Sequence, residues 1–318
     1  MNVLEIQNLN VTFATEGSTL RALKNVSIDI PKRCIVGVVG ESGCGKSTLI
    51  NSILRLLPEN GKIDAGTIKF EGHDLTKFDL SQMKTVRGSR ISTVFQDPMS
   101  ALNPVLSIAD QMLHIQYRSK LRRKEKQEKS IEMLRRVRIP DPESALKRYP
   151  HEFSGGMKQR ISIAMAMMME PALLIADEPT TALDATLEVA IIDLLKELQS
   201  QIECSILFIS HHLGLIAELC DQVIVMYAGE VLERGTAHQI FHDPWHPYSA
   251  RLLECDPANQ TSRTRQLPTI PGEIPDLKAI HKGCIFRSRC QYCEDICTTV
   301  PEEFGINGHF VRCHRKSQ

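Results

Sequence analysis

Short apolar runs alternate with helical patterns along the first 240 residues of the chain. Three of the runs, at 35–39, 173–176 and 205–209, are almost continuously apolar, which is typical of central parallel strands covered on both faces. Helical patterns at 46–57 and 187–201 follow the first two of these runs. The alternation predicts an α/β domain with a mostly parallel sheet. The predicted strands are 4–9, 26–30, 35–39, 67–70, 91–95, 173–176, 205–209 and 223–226.

Two later stretches depart from this alternation. Between about 105 and 165 only helical patterns remain, and the run 118–138 carries ten Lys or Arg and three Glu. A basic run of this kind suits a surface that binds nucleic acid or lipid headgroups, but the interspersed glutamates favour a solvated helical face. After about residue 240 the chain becomes rich in proline. This change predicts an irregular extension over 241–318.

Composition and charge narrow the class of protein. The chain has 318 residues, 42% of them hydrophobic and 24% charged, as in an ordinary globular protein of about two domains. Its 38 basic residues balance 38 acidic ones, which argues against a nucleic-acid-binding protein that relies on overall charge. No apolar run reaches the ~18 residues of a membrane-spanning helix. The beginning of the chain lacks the pattern of a secretory signal, so we expect a cytosolic protein able to dock on a membrane protein.

A glycine-rich segment follows the apolar run 35–39. Residues 40–47, GESGCGKS, fit the phosphate-loop pattern G-x-x-x-x-G-K-[ST] at every fixed position and open a helical segment. Glycines allow backbone N–H groups to converge on phosphate oxygens, and the helix N-terminus adds partial positive charge. Lys46 is predicted to bridge the β- and γ-phosphates and Ser47 to ligate Mg²⁺. The alternative is a glycine-rich turn with a coincidental lysine.

The run 173–176 ends in two carboxylates. Asp177 is placed to hold Mg²⁺, and Glu178 is placed to accept a proton from an attacking water. A pair of solvated turn residues is the alternative, which the phosphate loop makes less favourable.

A second candidate anion site lies at 154–156. Ser154, Gly155 and Gly156 open a helix, which suits either an anion site of backbone donors or a plain helix N-cap. One nucleotide does not need two phosphate sites in one chain. If the turn binds phosphate, it closes on the nucleotide of a second subunit.

These segments resemble, in order along residues 1 to about 240, the motifs of ATP-binding subunits of ABC transporters. The matched motifs are the Walker A loop (40–47), the Q-loop (Gln96), the signature (154–159), Walker B (173–178), the D-loop (182–184) and the switch histidine (His211).

The resemblance implies a P-loop NTPase cassette over 1–240, with a mostly parallel core sheet, an antiparallel β subdomain and a helical subdomain at about 105–165. A small irregular extension follows at 241–318. ATP and Mg²⁺ are the implied ligands. The residues implied to bind nucleotide are Phe13, Gly40, Ser42, Gly43, Cys44, Gly45, Lys46, Ser47, Thr48, Ser154, Gly155, Gly156, Gln159 and Asp184. Those implied to bind Mg²⁺ are Ser47, Gln96 and Asp177, and those implied in catalysis are Glu178, His211, Gln96 and Lys46.

Individual roles also follow from the resemblance. His211 would touch the γ-phosphate, Asp184 would link the two sites of a dimer, and segment 97–108 would meet the membrane subunits. Two positions depart from the usual pattern. His212 stands where an Asp commonly follows the switch histidine, which puts the geometry of that loop in doubt. Phe13 replaces a frequent Tyr and retains the ability to stack on adenine.

The extension carries a narrower resemblance, to the ATPases of dipeptide, oligopeptide and nickel importers. It rests on three sequence features: His246-Pro247-Tyr248 followed by Leu252-Leu253, Ile270-Pro271-Gly272, and the cysteines at the end of the chain. The resemblance implies a second, homologous ATPase subunit, two membrane permeases, and an extracytoplasmic peptide-binding protein that acts through them. It implies no nucleic-acid partner, and a peripheral location on the cytoplasmic face of the bacterial inner membrane.

Five of the ten cysteines fall in the last 35 residues, and a reducing cytosol favours metal binding over disulfides there. Thiolates suit iron–sulfur and zinc alike, and free thiols are a third alternative. The resemblance favours a [4Fe–4S] cluster on Cys284, Cys290, Cys297 and Cys313, acting as a structural clip. Cys293 is an additional thiol, and Cys290-x-x-Cys293 has the spacing of a zinc half-site.

Three functions are compared. The favoured one is ATP hydrolysis that powers import of dipeptides or short oligopeptides. A nickel or metal-chelate importer is the alternative within the same family. A soluble ABC ATPase of DNA repair or translation is disfavoured, because the chain has one cassette and only a short helical insert.

Overall fold

The computed structural model describes residues 1–97, 101–181, 183–256, 268–279 and 281–315. The chain forms two compact units, Met1–Phe78 with Ile209–Gln318, and Asp79–Phe208. We call them the first and the second unit. Among the described helices, none has the length and apolar character that crossing a bilayer requires. The predicted domain boundary at residue 240 remains a prediction.

Strands and helices alternate over most of the chain. The strands are β1 (Asn2–Thr15), β2 (Ser18–Pro31), β3 (Ile35–Val39), β4 (Gly61–Phe70), β5 (His73–Asp74), β6 (Ile91–Val94), β7 (Leu173–Asp177), β8 (Ser205–Ile209), β9 (Gln222–Tyr227), β10 (Glu230–Thr236), β11 (Phe304–Ile306) and β12 (His309–Val311). The α-helices are α1 (Lys46–Ile53), α2 (Leu80–Val86), α3 (Ile108–Ile115), α4 (Arg123–Arg136), α5 (Pro142–Ala145), α6 (Gly155–Met167), α7 (Ala185–Ile202), α8 (Leu213–Leu219), α9 (Ala237–His242) and α10 (Pro247–Glu254).

The first unit contains two sets of paired strands. One is the antiparallel sheet β2-β1-β4-β5. The other follows the order β11-β12-β10-β9-β3, in which β3 and β9 run parallel and Val38 lies opposite Ile224. Both β3 and most of β9 are buried, so the continuous apolar run at 35–39 does mark a central strand.

The second unit carries three strands and the helical part of the chain. The strands are ordered β8-β7-β6, with β6 parallel to β7 and Ile91 opposite Leu173. Helices α3 to α6 occupy the stretch where the sequence pattern changes to helices only. The basic run is mainly α4 and its N-cap Arg122, and at the surface Arg122 pairs with Glu125 and Arg135 pairs with Glu132 and Glu143. These pairs agree with the predicted solvated face.

The extension contributes ordered strands to the first unit, which the expectation of an irregular segment missed. Asn307 and Gly308, with φ of 52° and 79°, form the turn between β11 and β12. An Asn-Gly pair favours this tight hairpin turn because both residues tolerate positive φ. β12 pairs with β10, where Glu233 lies opposite Val311. The extension is therefore part of the sheet of the first unit.

A buried polar cluster anchors this hairpin. The fully buried carboxylate of Glu233 bonds His309 Nε2 at 2.7 Å and accepts the backbone N–H groups of Trp245 and His246 at 2.6 and 2.9 Å. The ring of Trp245 stacks on that of His309 with centroids 3.8 Å apart. Both oxygens of the carboxylate thus have partners, as a buried charge requires.

Candidate functional site

The glycine-rich loop of the first unit joins β3 to α1, as the sequence predicts. Gly40 has a φ of 152°, and a Cβ there would lie 2.1 Å from the Met226 carbonyl oxygen. Gly45 has a φ of 106°, and its Cβ would lie 2.8 Å from a methyl group of Leu23. Only glycine fits these two close approaches, while the role of the glycines toward phosphate remains a prediction.

The other loop residues leave one side of the loop accessible to solvent. A Cβ at Gly43 would meet nothing within 4 Å, and Ser42 and Ser47 are exposed. Helix α1 has no side-chain cap at its N-terminus, so its first N–H groups are available to an anion. Thr48, at the third position of the helix, is half-buried. This arrangement of backbone donors fits a phosphate chain.

Lys46 lies against this loop. Its Nζ donates to the carbonyl oxygens of Gly40 at 2.7 Å and Glu41 at 3.2 Å. The ammonium group is thereby held within the segment whose N–H groups would face phosphate. The neighbouring Cys44 is buried, which raises the pKa of its thiol. Its carbonyl oxygen accepts the N–H of Gly229 at 2.9 Å, and its Sγ accepts Lys46 Nζ at 3.7 Å.

Phe13 lies on β1 opposite Gly61 of β4. The ring is half-buried, and a Cβ at Gly61 would lie 2.8 Å from Phe13 Cε1. A side chain at position 61 would therefore require the Phe13 ring or its neighbours to shift. The predicted adenine-stacking role of Phe13 remains a prediction.

In the second unit, the carboxylate pair lies where β7 ends. Asp177 is the last residue of β7, and Glu178 follows with a φ of 46°, a left-handed conformation that non-glycine residues rarely adopt. One oxygen of Glu178, Oε2, accepts hydrogen bonds from Gln96 Nε2 at 3.2 Å and Thr181 Oγ1 at 3.0 Å. The structure thus brings together Gln96 and Glu178, which the sequence proposed separately, and adds Thr181, which the sequence reasoning missed.

The Ser-Gly-Gly turn begins α6. The Oγ of Ser154 accepts a hydrogen bond from the N–H of Met157 at 3.4 Å, so Ser154 is the N-cap of this helix. Gly155 is exposed with open space around it, and a Cβ at Gly156 would lie 3.0 Å from a methyl group of Leu187. Gln159 is buried, and its Nε2 has no hydrogen-bond partner among the described residues.

Asp184 of the predicted D-loop lies at the N-terminus of α7. Asp184 caps α7 by accepting the N–H of Leu187 at 3.0 Å, and it also accepts Thr186 Oγ1 at 2.7 Å. These bonds, that of Thr186 first, lower the pKa of Asp184. Ala182 of the predicted D-loop lies outside the described residues, as do positions 98–100 of segment 97–108.

His211 is exposed, and its ring centroid lies 4.6 Å from that of His212. The backbone N–H of His212 donates to Ser210 Oγ at 3.0 Å just before α8. Ser210 therefore supplies a local hydrogen bond in the loop where the usual Asp is replaced by His212.

Two cysteines of the extension are joined by a backbone hydrogen bond, in which the N–H of Cys284 donates to the carbonyl oxygen of Cys297 at 3.0 Å. Burial raises the pKa of Cys284 to about 12, and the nearby thiols of Cys313, Cys297 and Cys290 act in the same direction. Within the parts of the chain that the structure describes, however, no group of three or more His, Cys, Asp or Glu is arranged to hold a metal ion. The structure therefore does not support the predicted [4Fe–4S] cluster.

Comparisons with known proteins decide the family. The family model for ABC transporters matches residues 23–181, and the model for the C-terminal region of oligopeptide/dipeptide transporters matches residues 232–297. The dipeptide transport ATP-binding protein DppD of Bacillus subtilis is 44% identical over 99% of this chain and 95% of its own length. The chain belongs to the ATP-binding proteins of ABC transporters, in the oligopeptide/dipeptide branch.

Other members of this family agree. The oligopeptide transport ATP-binding protein OppD of Salmonella typhimurium is 41% identical, over 94% of this chain and 89% of its own. Among solved structures, the dimeric ATP-binding cassette MJ0796 with ADP and Pi has a TM-score of 0.65 and 26% identity, covering 74% of this chain and 98% of that chain. The cassette cbiO1 of Clostridium perfringens has a TM-score of 0.67 and 29% identity, covering 76% and 91%. These similarities confirm the ABC ATPase fold.

Proposed function

We propose that the protein is the ATP-hydrolysing subunit of an ABC importer for dipeptides or short oligopeptides. The observation that carries this proposal is the full-length similarity to dipeptide and oligopeptide transport ATP-binding proteins, which includes the C-terminal region specific to that branch. A motor subunit works by differential affinity: ATP has to bind the closed state of the transporter better than the open state.

The residues of the site fit successive steps of ATP hydrolysis. The loop around Lys46 binds the phosphates, and Ser47 and Asp177 would hold Mg²⁺, which neutralises charge on the β- and γ-phosphates. Glu178 accepts the proton of the attacking water, and His211 contacts the γ-phosphate. Gln96 and Thr181 orient the carboxylate of Glu178, a role that their hydrogen bonds to its Oε2 support.

The Ser154 turn and Asp184 act between two subunits in this proposal. Support comes from the solved cassette MJ0796, which is dimeric with ADP and Pi. The second subunit is a homologous ATPase, and the pair works beneath two permeases fed by an extracytoplasmic peptide-binding protein, at the cytoplasmic face of the membrane. Exposed apolar side chains of the second unit favour a permease-contacting surface, among them Phe95, Val105 and Tyr117.

Reconstituted transport tests this assignment. The chain, its partner ATPase and the two permeases are placed in proteoliposomes that enclose ATP, with the ATPases facing the lumen and the binding protein added outside. Labelled dipeptide delivered by the binding protein should cross the membrane only when ATP and Mg²⁺ are present, and excess unlabelled dipeptide should compete. Movement of radioactive nickel in place of peptide would assign the transporter to the nickel alternative and contradict the proposal.

We also propose that Cys284, Cys290, Cys297 and Cys313 bind a [4Fe–4S] cluster that clips the extension. The proposal rests on the donor chemistry of the four thiols and on one backbone contact, the N–H of Cys284 donating to the carbonyl oxygen of Cys297 at 3.0 Å. The full-length protein, purified without oxygen, should be brown, contain iron and sulfide, and lose its visible absorbance on reduction. A colourless, iron-free preparation made anaerobically contradicts this assignment and leaves the ATPase assignment untouched.

A further inference from the structure

An arginine of the extension is buried against the phosphate loop. The Arg289 side chain is 4% exposed. Its two terminal nitrogens form a two-pronged ion pair with the carboxylate of Glu41, at 2.7 and 3.1 Å. Glu41 is the second residue of the loop, between Gly40 and the exposed Ser42. A bidentate Arg–carboxylate pair fixes orientation as well as distance, so the loop is tied to a segment 248 residues away along the chain.

Every N–H of this guanidinium group has an acceptor. Besides Glu41, it donates to the hydroxyl of Tyr227 at 3.2 Å and to the carbonyl oxygens of Ile270 and Pro271 at 2.9 and 3.0 Å. Five donors thus meet five acceptor contacts, the maximum for arginine. Gly272, with a φ of 82°, favours this arrangement, because a Cβ there would lie 3.2 Å from Arg289 Cγ, a tight contact.

The loop is held at the same residue by a second contact. The backbone N–H of Glu41 donates to the hydroxyl of Tyr248 at 2.9 Å. Tyr248 is fully buried and packs with Tyr227 and Phe286, at ring distances of 4.7 and 5.3 Å. Phe286 and Arg289 both come from the extension. The carbonyl of Glu41 in turn accepts Lys46 Nζ, so this residue connects the extension to the phosphate-binding lysine.

We propose that Arg289 is a positioning residue for ATP binding: through Glu41 it holds the phosphate loop in the shape that receives phosphate. This proposal rests on the proposed ATP-binding function. Arg289 acts through Glu41 and does not itself touch the nucleotide. The extension therefore has a role within the cassette, since it stabilises the ATP-binding conformation of the loop.

ATP binding and thermal stability of full-length variants test this role. Arg289→Met should raise the Kd for ATP with Mg²⁺ about tenfold, which corresponds to ~1.4 kcal/mol. It should raise the KM for ATP while leaving kcat within about twofold, because Glu178 and its partners are unchanged. Arg289→Lys keeps the charge without the two-pronged geometry and should recover part of the affinity. The double variant Glu41→Gln/Arg289→Met should bind no more weakly than the weaker single variant, since both changes remove one interaction.

The matched control is Arg234→Met. Arg234 also joins the body of the first unit to the extension, through Glu303 at 2.9 Å, and its guanidinium covers the ring of Phe310. Its loss should lower the melting temperature and leave the Kd for ATP within about twofold of wild type. If wild type binds ATP and Arg289→Met binds it with the same Kd, the inference about Arg289 is overturned and the proposed function stands. If wild type itself does not bind ATP, the proposed function is overturned. If Arg289→Met does not fold, Glu41→Gln decides: an unchanged Kd there overturns the inference as well.

Discussion

Replacing Glu178 by glutamine should lower the rate of ATP hydrolysis by about 10²–10⁴-fold and leave ATP binding intact. The substitution removes the group that accepts the proton of the attacking water. It changes neither the phosphate loop nor the ammonium group of Lys46, which belong to the binding step. The expected variant therefore binds ATP and retains it.

The structure explains why this substitution should remove the negative charge and leave the local geometry unchanged. Two donors to Glu178, Gln96 Nε2 and Thr181 Oγ1, reach the same carboxylate oxygen. A glutamine can place its amide oxygen at that position, so both hydrogen bonds are kept. Glu and Gln also share the same backbone preferences, so the left-handed φ of 46° is no harder to adopt. The negative charge is the property that is lost.

Glu170→Gln provides the matched control. Glu170 also has a left-handed backbone, with a φ of 52°, but it precedes β7 and forms an exposed ion pair with Lys129 at 2.9 Å. An exposed pair of this kind contributes little stability, so this variant should hydrolyse ATP at the wild-type rate. Phosphate release and ATP retention are measured on both variants in the assembled transporter. Normal turnover by Glu178→Gln would remove Glu178 from the proposed mechanism.

Local sequence patterns were sufficient to predict the phosphate loop and the strand before it. The run 35–39 is apolar because β3 is buried on both faces, and Gly40 and Gly45 are glycines because their backbones approach other atoms too closely for a Cβ. Glu178 was located by a local pattern as well, since it directly follows the buried apolar run of β7. In each case the cause lies within a few residues of the effect, so the pattern reveals it.

Individual side-chain contacts were not predictable in this way. Thr181 reaches Glu178 because of the turn after β7, and its residue type alone does not indicate that role. The pair of Arg289 with Glu41 joins segments at opposite ends of the chain. The β11–β12 hairpin is different: the Asn307-Gly308 pair was a readable turn signal, and the proline-rich composition of the extension obscured it.

Replacing Lys46 by methionine should impair both steps, which separates it from Glu178→Gln. The ammonium group is the positive charge expected to stabilise the transferring phosphoryl group, and loss of one such stabilising group lowers kcat by about 10²–10³-fold. Because the same charge attracts the phosphates of bound ATP, the Kd for ATP should rise in parallel. The conservative variant Lys46→Arg should not restore function, since a planar guanidinium group does not reproduce the compact ammonium donor that bonds the carbonyl oxygens of Gly40 and Glu41.

The control for Lys46 is Lys77→Met, which removes a lysine whose side chain is 82% exposed and pairs with Asp74 at the surface. It should leave the Kd and the hydrolysis rate at wild-type values, because a screened surface pair carries little energy. The comparison of Lys46→Met with Glu178→Gln then separates ATP binding from the hydrolysis step. A Lys46→Met variant that binds ATP as tightly as wild type would show that another group supplies the positive charge that binds the phosphates. Glu178→Gln keeps the Lys46 ammonium group and is therefore expected to retain ATP.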